Sequence, residues 1–361
     1  MRLDYALSTT LLLGASSASI MPLPQPHYSV YREQLTSLYH GHALWEPDPA
    51  NLYERVSVGD VGYVREGYFF RMFNVRLPWN HPSNRVLGEP DPYEPVDLGP
   101  FINIRESRLS RGDYYSRYVS TQDVNAGVQA QAPPADGNAI ISYRCRKRLG
   151  AVLSLPYDGY RQDVIRTKAF EDYIRDHCEN WFAFAQRNRL DVQRMEDIIL
   201  VSGCTLVTAW AAAAFVDSNL DSEISLGCQT LGSAATFQWH FARQISQSVA
   251  YNNSQERADP PQTQCVFIRG FRAKRILLGL YTGLRAAAEP LPDNPDRRRD
   301  GEMQVTRVPN VPSYRDPLVG VLDYIAEKCP DNTIAIAHDD DLQLVEEVVR
   351  ANNVFPYCAN W

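Results

Sequence analysis

The alternation of apolar and polar positions predicts a chain built mainly from β-strands. The stretch "RVSVGDVGYVREGYFFRMFNVRL" places aromatic and β-branched residues on both sides of Arg65-Glu66-Gly67, which predicts a β-hairpin. Further strands are predicted in 138–157 with a turn near Gly150, in "EISLGCQTL", in "ATFQWHFARQI" and, as a pair, in 263–283. A helical stripe predicts one long amphipathic helix over 161–189. Its apolar members are Ile165, Phe170, Ile174, His177, Trp181 and Phe184.

The two ends of the chain have different patterns. Residues 22–55 are rich in proline and predict an extended arm with a short helix in "YREQLTSLYHG", whereas 78–100 contains six prolines and predicts a loop. The C-terminal part predicts a helix over 317–328, a turn at 330–332, a strand in "TIAIAH" and a second helix from about 342. We therefore predict an α+β fold, mainly antiparallel sheet, with one long amphipathic helix packed on it and a small helix-strand-helix C-terminal segment.

These patterns also predict the organisation of the chain. Residues 1–20 are a candidate leader or a mis-assigned start, and 21–288 form the main α+β domain. Residues 289–315 are a linker rich in proline and charge, and 316–361 are an acidic C-terminal segment.

One run without charge, Ile198–Val216, has the length of a membrane-spanning helix. Its polar centre and its acidic flanks, which include Glu196 and Asp217, argue against a permanent span. A buried strand, a turn near Gly203 and then a small-residue segment in the core fit its composition better. Trp210 and Phe215 would then lie in the core, or else form the apolar part of a hairpin that can insert into a membrane.

Charge is distributed unevenly. The formal net charge is −7, and the range 316–361 carries all of it, with nine acids against two bases. An acidic chain of this kind is not expected to bind nucleic acid.

Two basic clusters stand out against this acidity. Their members are Arg144, Arg146, Lys147 and Arg148, and then Arg269, Arg272, Lys274 and Arg275. Each cluster could dock the acidic segment or bind anionic lipid head groups. The third interpretation is the solvated face of a strand.

Motifs for chemistry are scarce. The phosphate-binding glycine motifs and the nucleophile elbow of serine hydrolases are missing, and no cofactor is predicted. His40 and His42 could share a metal ion if a further ligand joined them. His338, Asp339, Asp340 and Asp341 follow a predicted strand and form a second candidate metal site, although such acids also cap the following helix.

Cysteines and the N-terminus bear on localisation. Seven widely spaced cysteines without a C-x-x-C pair predict a reducing compartment, with Cys204 and Cys265 as buried apolar residues. The cytoplasm is the predicted location. The alternative is secretion, with residues 1–18 acting as a signal peptide.

Several stretches resemble a large protein family of mushroom-forming fungi. They are "LYHGHALWEPDP", "VSVGDVGYVREG", "RQDVIRTKAFEDYIRDHCENWFAFAQ", "MEDIILVSGCTLVTAWAAAAF", "CVFIRGFRAKR" and "DPLVGVLDYIAEKCPDNTIAIAHDDDL". This resemblance implies a fungal, intracellular protein and implies no mechanism. In element order alone, the chain also resembles the pore-forming half of gasdermins, because a strand ending "LVSGC" is followed by a two-stranded excursion and the returning strand "QCVFIRGF".

Three functional hypotheses follow. The first is a non-enzymatic intracellular protein that works by binding, either membrane-active or self-associating, with an acidic regulatory tail. Its partner would be a protein, a second copy or an anionic lipid. The second is a metal-dependent hydrolase that uses His338 to Asp341, and the third is a secreted binding protein.

Overall fold

The computed structural model describes residues 25–48, 55–96, 104–123, 137–165, 167–216, 222–231, 236–244, 249–254, 263–276 and 316–345. The predicted leader and the predicted linker lie outside these ranges. Helices α1 (His27–Thr36), α2 (Thr167–Arg187) and α3 (Pro317–Lys328) are accompanied by a helical turn at 341–345. Strands β1 to β16 comprise His42–Ala43, Asp60–Arg65, Tyr68–Asn74, Ile104–Leu109, Gly112–Tyr115, Val119–Asp123, Gly137–Cys145, Gly150–Leu155, Gly159–Val164, Ile198–Val207, Ala211–Phe215, Ser222–Leu231, Thr236–Gln244, Val249–Asn253, Gln264–Arg275 and Ile334–His338.

The described strands form three sheets, and all pairings between them are antiparallel. The main sheet has the order β1-β15-β10-β2-β3, with β16 beside β15 and with β9 and β4 continuing from β10. The second sheet has the order β14-β11-β8-β5, and the third has the order β13-β12-β7-β6. This confirms the predicted α+β class and its mainly antiparallel character.

Strand β10 lies at the centre of the main sheet. It pairs with β15 along one edge, and with β2 and β9 along the other. All ten of its residues are buried, which explains why its sequence is almost continuously apolar. Across the described ranges, no helix combines the length and the hydrophobicity needed to cross a bilayer.

The predicted hairpin is β2–β3, and its turn is built from Glu66 and Gly67. Both have positive φ, 52° and 89°, which is the geometry of the two-residue turns that match the twist of paired strands. The predicted amphipathic helix is α2, somewhat shorter than 161–189. Its apolar face packs on β10 and β15 and is formed by Phe170, Ile174, Cys178, Trp181, Phe184 and Ala185.

Two details of the predicted stripe on α2 are wrong. Ile165 precedes the helix and is exposed. His177 is replaced in the buried stripe by Cys178, because a helical spacing of four residues from Ile174 reaches Cys178. The His177 ring packs beside Tyr173 instead.

The N-terminal prediction is also wrong in one respect. Residues 25–48 do not form an extended arm, because α1 places Val30, Tyr31 and Leu35 in the core. The helix begins directly after Pro26, whose carbonyl oxygen accepts the backbone N–H groups of Ser29 and Val30 in the first turn.

Strand β10 runs through Gly203, where the sequence predicts a turn. The chain turns later, between Val207 and Ala211. A β-bulge at Ser202 accounts for the irregular composition, because Val201 pairs with Gly270 whereas Gly203 pairs with Arg269. The predicted strand pair in 263–283 is a single long strand over the described residues, β15.

Candidate functional site

The candidate site is the contact between one strand and the acidic end of the chain. We call residues 316–345 the C-terminal segment, and we call Arg269, Arg272, Lys274 and Arg275 the β15 basic stretch. Strand β16 of the segment pairs with β15 from Phe271↔His338 to Arg275↔Ile334. Nearer the N-terminal end of β15, at Phe267 and Ile268, the same edge pairs with β1. The C-terminal segment therefore completes the edge of the main sheet.

The C-terminal segment has an apolar core of its own. Helix α3 lies against β16, and together they form a buried cluster to which β15 and the residue after it contribute only Ile276. The cluster consists of Ile276, Leu318, Val321, Leu322, Ala326, Ala335 and Ala337. Strand β16 also reaches the core beneath α2, where Ile334 and Ile336 are partly buried.

Asp316 connects the segment to two different elements of the main domain. Its carboxylate forms ion pairs with Arg272 of β15 and with Arg32 of α1. Arg272 is only 3% exposed, so its charge is almost wholly removed from water. Removing one partner of such a buried pair costs roughly 3–5 kcal/mol, because the other charge is left uncompensated.

The Asp316 carboxyl also begins helix α3. It accepts a hydrogen bond from the backbone N–H of Leu318 at 3.0 Å, which is the usual capping arrangement for aspartate. Burial alone would raise the pKa of this carboxyl, but the charges of Arg272 and Arg32 outweigh burial and hold the pKa below its ordinary value. Asp316 is therefore an ionised, partly buried carboxylate at neutral pH.

His42 is a neutral side chain beside Arg272. Arg272 donates a hydrogen bond to His42 Nδ1 at 3.1 Å, which requires an unprotonated Nδ1. Burial, followed by the charges of Arg32 and Arg272, lowers the pKa of His42 well below its ordinary value. The Nε2 atom is buried and has no hydrogen-bond partner among the described residues.

His40, the residue that could share a metal ion with His42, has aromatic neighbours instead. The ring of His40 packs against Tyr114 and Phe267, with ring centres 5.4 Å apart in each case. These contacts are those of an aromatic side chain at the edge of a core.

The remaining members of the β15 basic stretch differ in their partners. Lys274 pairs with Asp323 of α3, so this contact also belongs to the C-terminal segment. Arg275 pairs with Glu179 of α2 at 2.8 Å, and both of these side chains are more than half exposed. The Arg275 pair is therefore the weaker contact.

Arg269 bridges the main sheet and the C-terminal segment. It donates to Asp163 of β9 at 2.6 Å and also pairs with Asp340. The Asp163 side chain passes over Gly203, where an added Cβ would lie 2.2 Å from its Oδ1 atom. The glycine thus allows the close approach of the carboxylate that holds Arg269.

His338 joins the end of β16 to the bulge in β10. Its Nε2 atom lies 2.7 Å from Ser202 Oγ, and its Nδ1 atom accepts the backbone N–H of Asp340 at 3.1 Å. Ser202 donates its hydroxyl proton to the carbonyl oxygen of Arg269 at 3.2 Å. With this set of contacts, Nε2 is the protonated nitrogen and donates a hydrogen bond to Ser202 Oγ.

Ser202, His338 and Asp340 resemble a hydrolase triad in their order of contact. The proton positions are the reverse of those needed, because a general base must accept the serine proton on Nε2. Ser202 and His338 are also buried. We interpret this arrangement as a hydrogen-bonded anchor for β16.

The other acids of the predicted metal site bind backbone amides. Asp339 accepts from the N–H of Gly270 at 2.7 Å, and Asp341 accepts from the N–H of His338 at 2.7 Å. Within the described ranges, no group of three or more His, Cys, Asp or Glu side chains is arranged to hold a metal ion. The contacts that Asp339, Asp340 and Asp341 make here are those of capping and docking.

The first basic cluster lies on a different sheet. Arg144 is in β7, and the turn that follows contains Arg146, Lys147 and Arg148. The Lys147 ammonium lies 3.7 Å from the ring centre of Tyr118, within the range of a cation–π interaction. Only the second cluster lies on the strand that receives the C-terminal segment.

The two aromatic residues of the uncharged run are both buried. Trp210 is 1% exposed and packs with Tyr31, Trp45 and Phe267, whereas Phe215 is fully buried beside Tyr143. In this state, both side chains are part of the core.

The cysteines flanking the site are buried as well. Cys204 and Cys265 are unpaired and lie in one apolar cluster of the main sheet. Burial raises the pKa of the Cys204 thiol to about 12, so this sulfur is not a nucleophile at neutral pH.

Sequence reasoning missed four contributors to the site. They are Arg32, Asp163, Glu179 and Ser202. Each is distant in sequence from its partner and lies in no motif. The bulge at Ser202 could have been suspected, because a polar residue beside a glycine interrupts an otherwise apolar strand.

Comparisons with known proteins do not assign a family. No protein-family model matches the chain, and no curated protein matches it. Among solved structures, the cryo-EM structure of the gasdermin A3 membrane pore is similar over 69% of this chain and 91% of that chain, with 10% sequence identity and a TM-score of 0.21. That level of similarity is too low to carry a functional argument, so function has to be argued from the site itself.

Proposed function

We propose that this protein is a non-enzymatic effector that binds anionic lipid surfaces, and that its C-terminal segment is a removable cap on the β15 basic stretch. Removal of the cap would expose the cations of β15 together with the edge of the main sheet.

The observation that supports this proposal is the pairing of charges across one contact. Three of the four members of the β15 basic stretch meet acids of the C-terminal segment. The pairs are Arg269 with Asp340, Arg272 with Asp316, and Lys274 with Asp323. Anionic head groups would replace the same carboxylates at the same cations.

The expected free energies of lipid binding and of cap release are similar in size, which is compatible with a switch between a capped state and a lipid-bound state. Each Lys or Arg near an anionic membrane contributes about 1 kcal/mol, so the three cations together would contribute roughly 3 kcal/mol. The buried Arg272–Asp316 pair resists release by an amount of similar order. A loosened cap should therefore favour the lipid-bound state, and the intact cap should suppress it.

The test uses the full chain and loosens the cap by charge alone. Asp316→Asn with Asp323→Asn removes two of the three pairs, and asparagine retains the helix cap at 316. We expect this variant to sediment with vesicles of phosphatidylcholine and phosphatidylserine at least about tenfold better than the unmodified protein. Binding should weaken as salt is added.

The matched control removes the same charge from exposed positions of the same segment. Glu327→Gln with Asp331→Asn changes two exposed acids that form none of these pairs. We expect this control to bind vesicles as the unmodified protein does. Equal binding by the two double variants would contradict the cap, because net charge would then explain the result.

A further inference from the structure

The C-terminal segment has the properties of an exchangeable unit. Its helix and strand share the apolar cluster described above, to which the main domain contributes Ile276. It meets the main domain through one strand pairing and through the contacts of β16 with the core under α2. Its polar contacts are the ion pairs at Asp316, Asp323 and Asp340 and the hydrogen bonds of His338 with Ser202 and of Asp339 with Gly270.

The connection to this unit is far longer than its docking requires. The backbone N–H of Ile276 donates to the carbonyl of Thr333, and Arg272 contacts Asp316. Ile276 lies four positions after Arg272, which corresponds to about 13 Å of extended chain. The chain joins these neighbouring points through residues 277–315, whereas about four extended residues would be enough to span the same distance.

We propose that the docking site on β15 also accepts the C-terminal segment of a second copy of this chain, so that two copies associate by exchanging residues 316–345. The inference rests on the proposed function only in that the segment must be removable. Exchange needs no new contact surface, because each segment makes with its partner the contacts that it makes within its own chain.

Charge complementarity identifies the occupant. The site combines a strand edge with three cations, and the occupant must supply three carboxylates in register with that edge. The C-terminal segment supplies them at Asp316, Asp323 and Asp340. Recognition through an added strand is a common mode of binding, and here the side-chain charges fix the register.

The test reverses one ion pair in two versions of the full chain. The first version carries Lys274→Glu and the second carries Asp323→Lys, so each has like charges facing each other within its own chain. When the two are mixed, exchange places opposite charges together at both docking sites. The control carries both substitutions in one chain, which restores an attractive pair in cis.

Native mass spectrometry of the mixture distinguishes the possible results. We expect a heterodimer at least about tenfold more abundant than dimers of either version alone, whereas the control remains as monomeric as the unmodified protein. A mixture without heterodimer would overturn exchange. A control that dimerises as strongly as the mixture would also overturn exchange. Dimerisation would then not depend on whether the matching charges lie on the same chain or on different chains.

The same proteins separate this inference from the proposed function. If either single version binds phosphatidylserine vesicles better than the control but the mixture contains no heterodimer, the cap stands and exchange is wrong. If the heterodimer forms but no version gains vesicle binding, exchange stands and the lipid-binding function is wrong.

Discussion

At the scale of single residues, the charge of one carboxylate decides how the C-terminal segment is held. Asp316 faces Arg272 and Arg32 from two different elements, and it also caps α3. Burial of this carboxylate is unfavourable, and the charges of the two arginines, together with the hydrogen bond from the Leu318 N–H, compensate for it. Charge balance at this position is therefore one of the interactions that hold the C-terminal segment on the main sheet.

His42 makes that balance sensitive to pH. Its pKa is lowered in the folded protein by burial and by the two arginines, so the unfolded chain binds a proton more readily than the folded one. The stability that this group contributes is complete above its unfolded pKa of about 6.5 and is lost as the pH falls below that value.

We expect the free energy of unfolding to fall by about 1 kcal/mol more in the unmodified protein than in His42→Asn when the pH drops from about 7.5 to about 5.5. The amide oxygen of asparagine can accept the Arg272 hydrogen bond without titrating. Urea unfolding at the two pH values measures this difference. Asp60, whose pKa burial raises to about 7, contributes to both proteins and cancels. Identical pH dependence in the two proteins would show that His42 does not titrate as described.

Individual partners of this kind could not be predicted from the sequence. The two basic clusters and the acidic tail are visible as charge patterns, but Arg32 and Asp163 lie in no pattern that distinguishes them from solvated residues. Their roles follow from contacts between residues that are distant in sequence, since Asp316 lies 284 positions after Arg32 and Arg269 lies 106 positions after Asp163.

At the scale of elements, the apolar pattern of strand β10 indicates its burial but does not place its end correctly. Burial on both faces could be predicted, because the run lacks charge. The turn predicted near Gly203 was wrong because glycine serves a different purpose there. It leaves room for Asp163 against the backbone of a continuous strand.

Gly203→Ala should therefore lower the free energy of unfolding by about 1–3 kcal/mol, because the added methyl group overlaps the Asp163 carboxylate. The matched control is Gly320→Ala, an exposed position in α3 where an added methyl group meets no atom within 4 Å. That change should instead stabilise the protein by roughly 0.5–1 kcal/mol. Urea unfolding of both variants measures these opposite changes in the free energy of unfolding. A Gly203→Ala variant as stable as the unmodified protein would disprove the close approach of Asp163 to Gly203.

At the scale of the whole molecule, the sequence predicted the α+β class and a separate acidic end of the chain. The concentration of negative charge in 316–361 suggested docking on a basic surface. The choice between the two basic clusters could not be made in advance, because it depends on which strand has an available edge. Strand β15 has one at Phe271–Arg275, whereas Arg144 lies in β7, which is paired on both sides.

The central claim is that anionic lipid and the C-terminal segment compete for the same face of β15. A disulfide that holds β16 on β15 tests it most directly. Ala273 and Ile336 lie directly opposite each other in the pairing, so cysteines at both positions are within disulfide range. They are introduced into the full chain with Asp316→Asn and Asp323→Asn, and the exposed Cys329 is changed to serine.

Sedimentation with phosphatidylserine vesicles is then measured on this one protein, oxidised and reduced. We predict little binding when the disulfide is closed and at least about tenfold stronger binding when it is reduced. Equal binding in the two states would contradict the account, because lipid would then attach without displacement of the C-terminal segment.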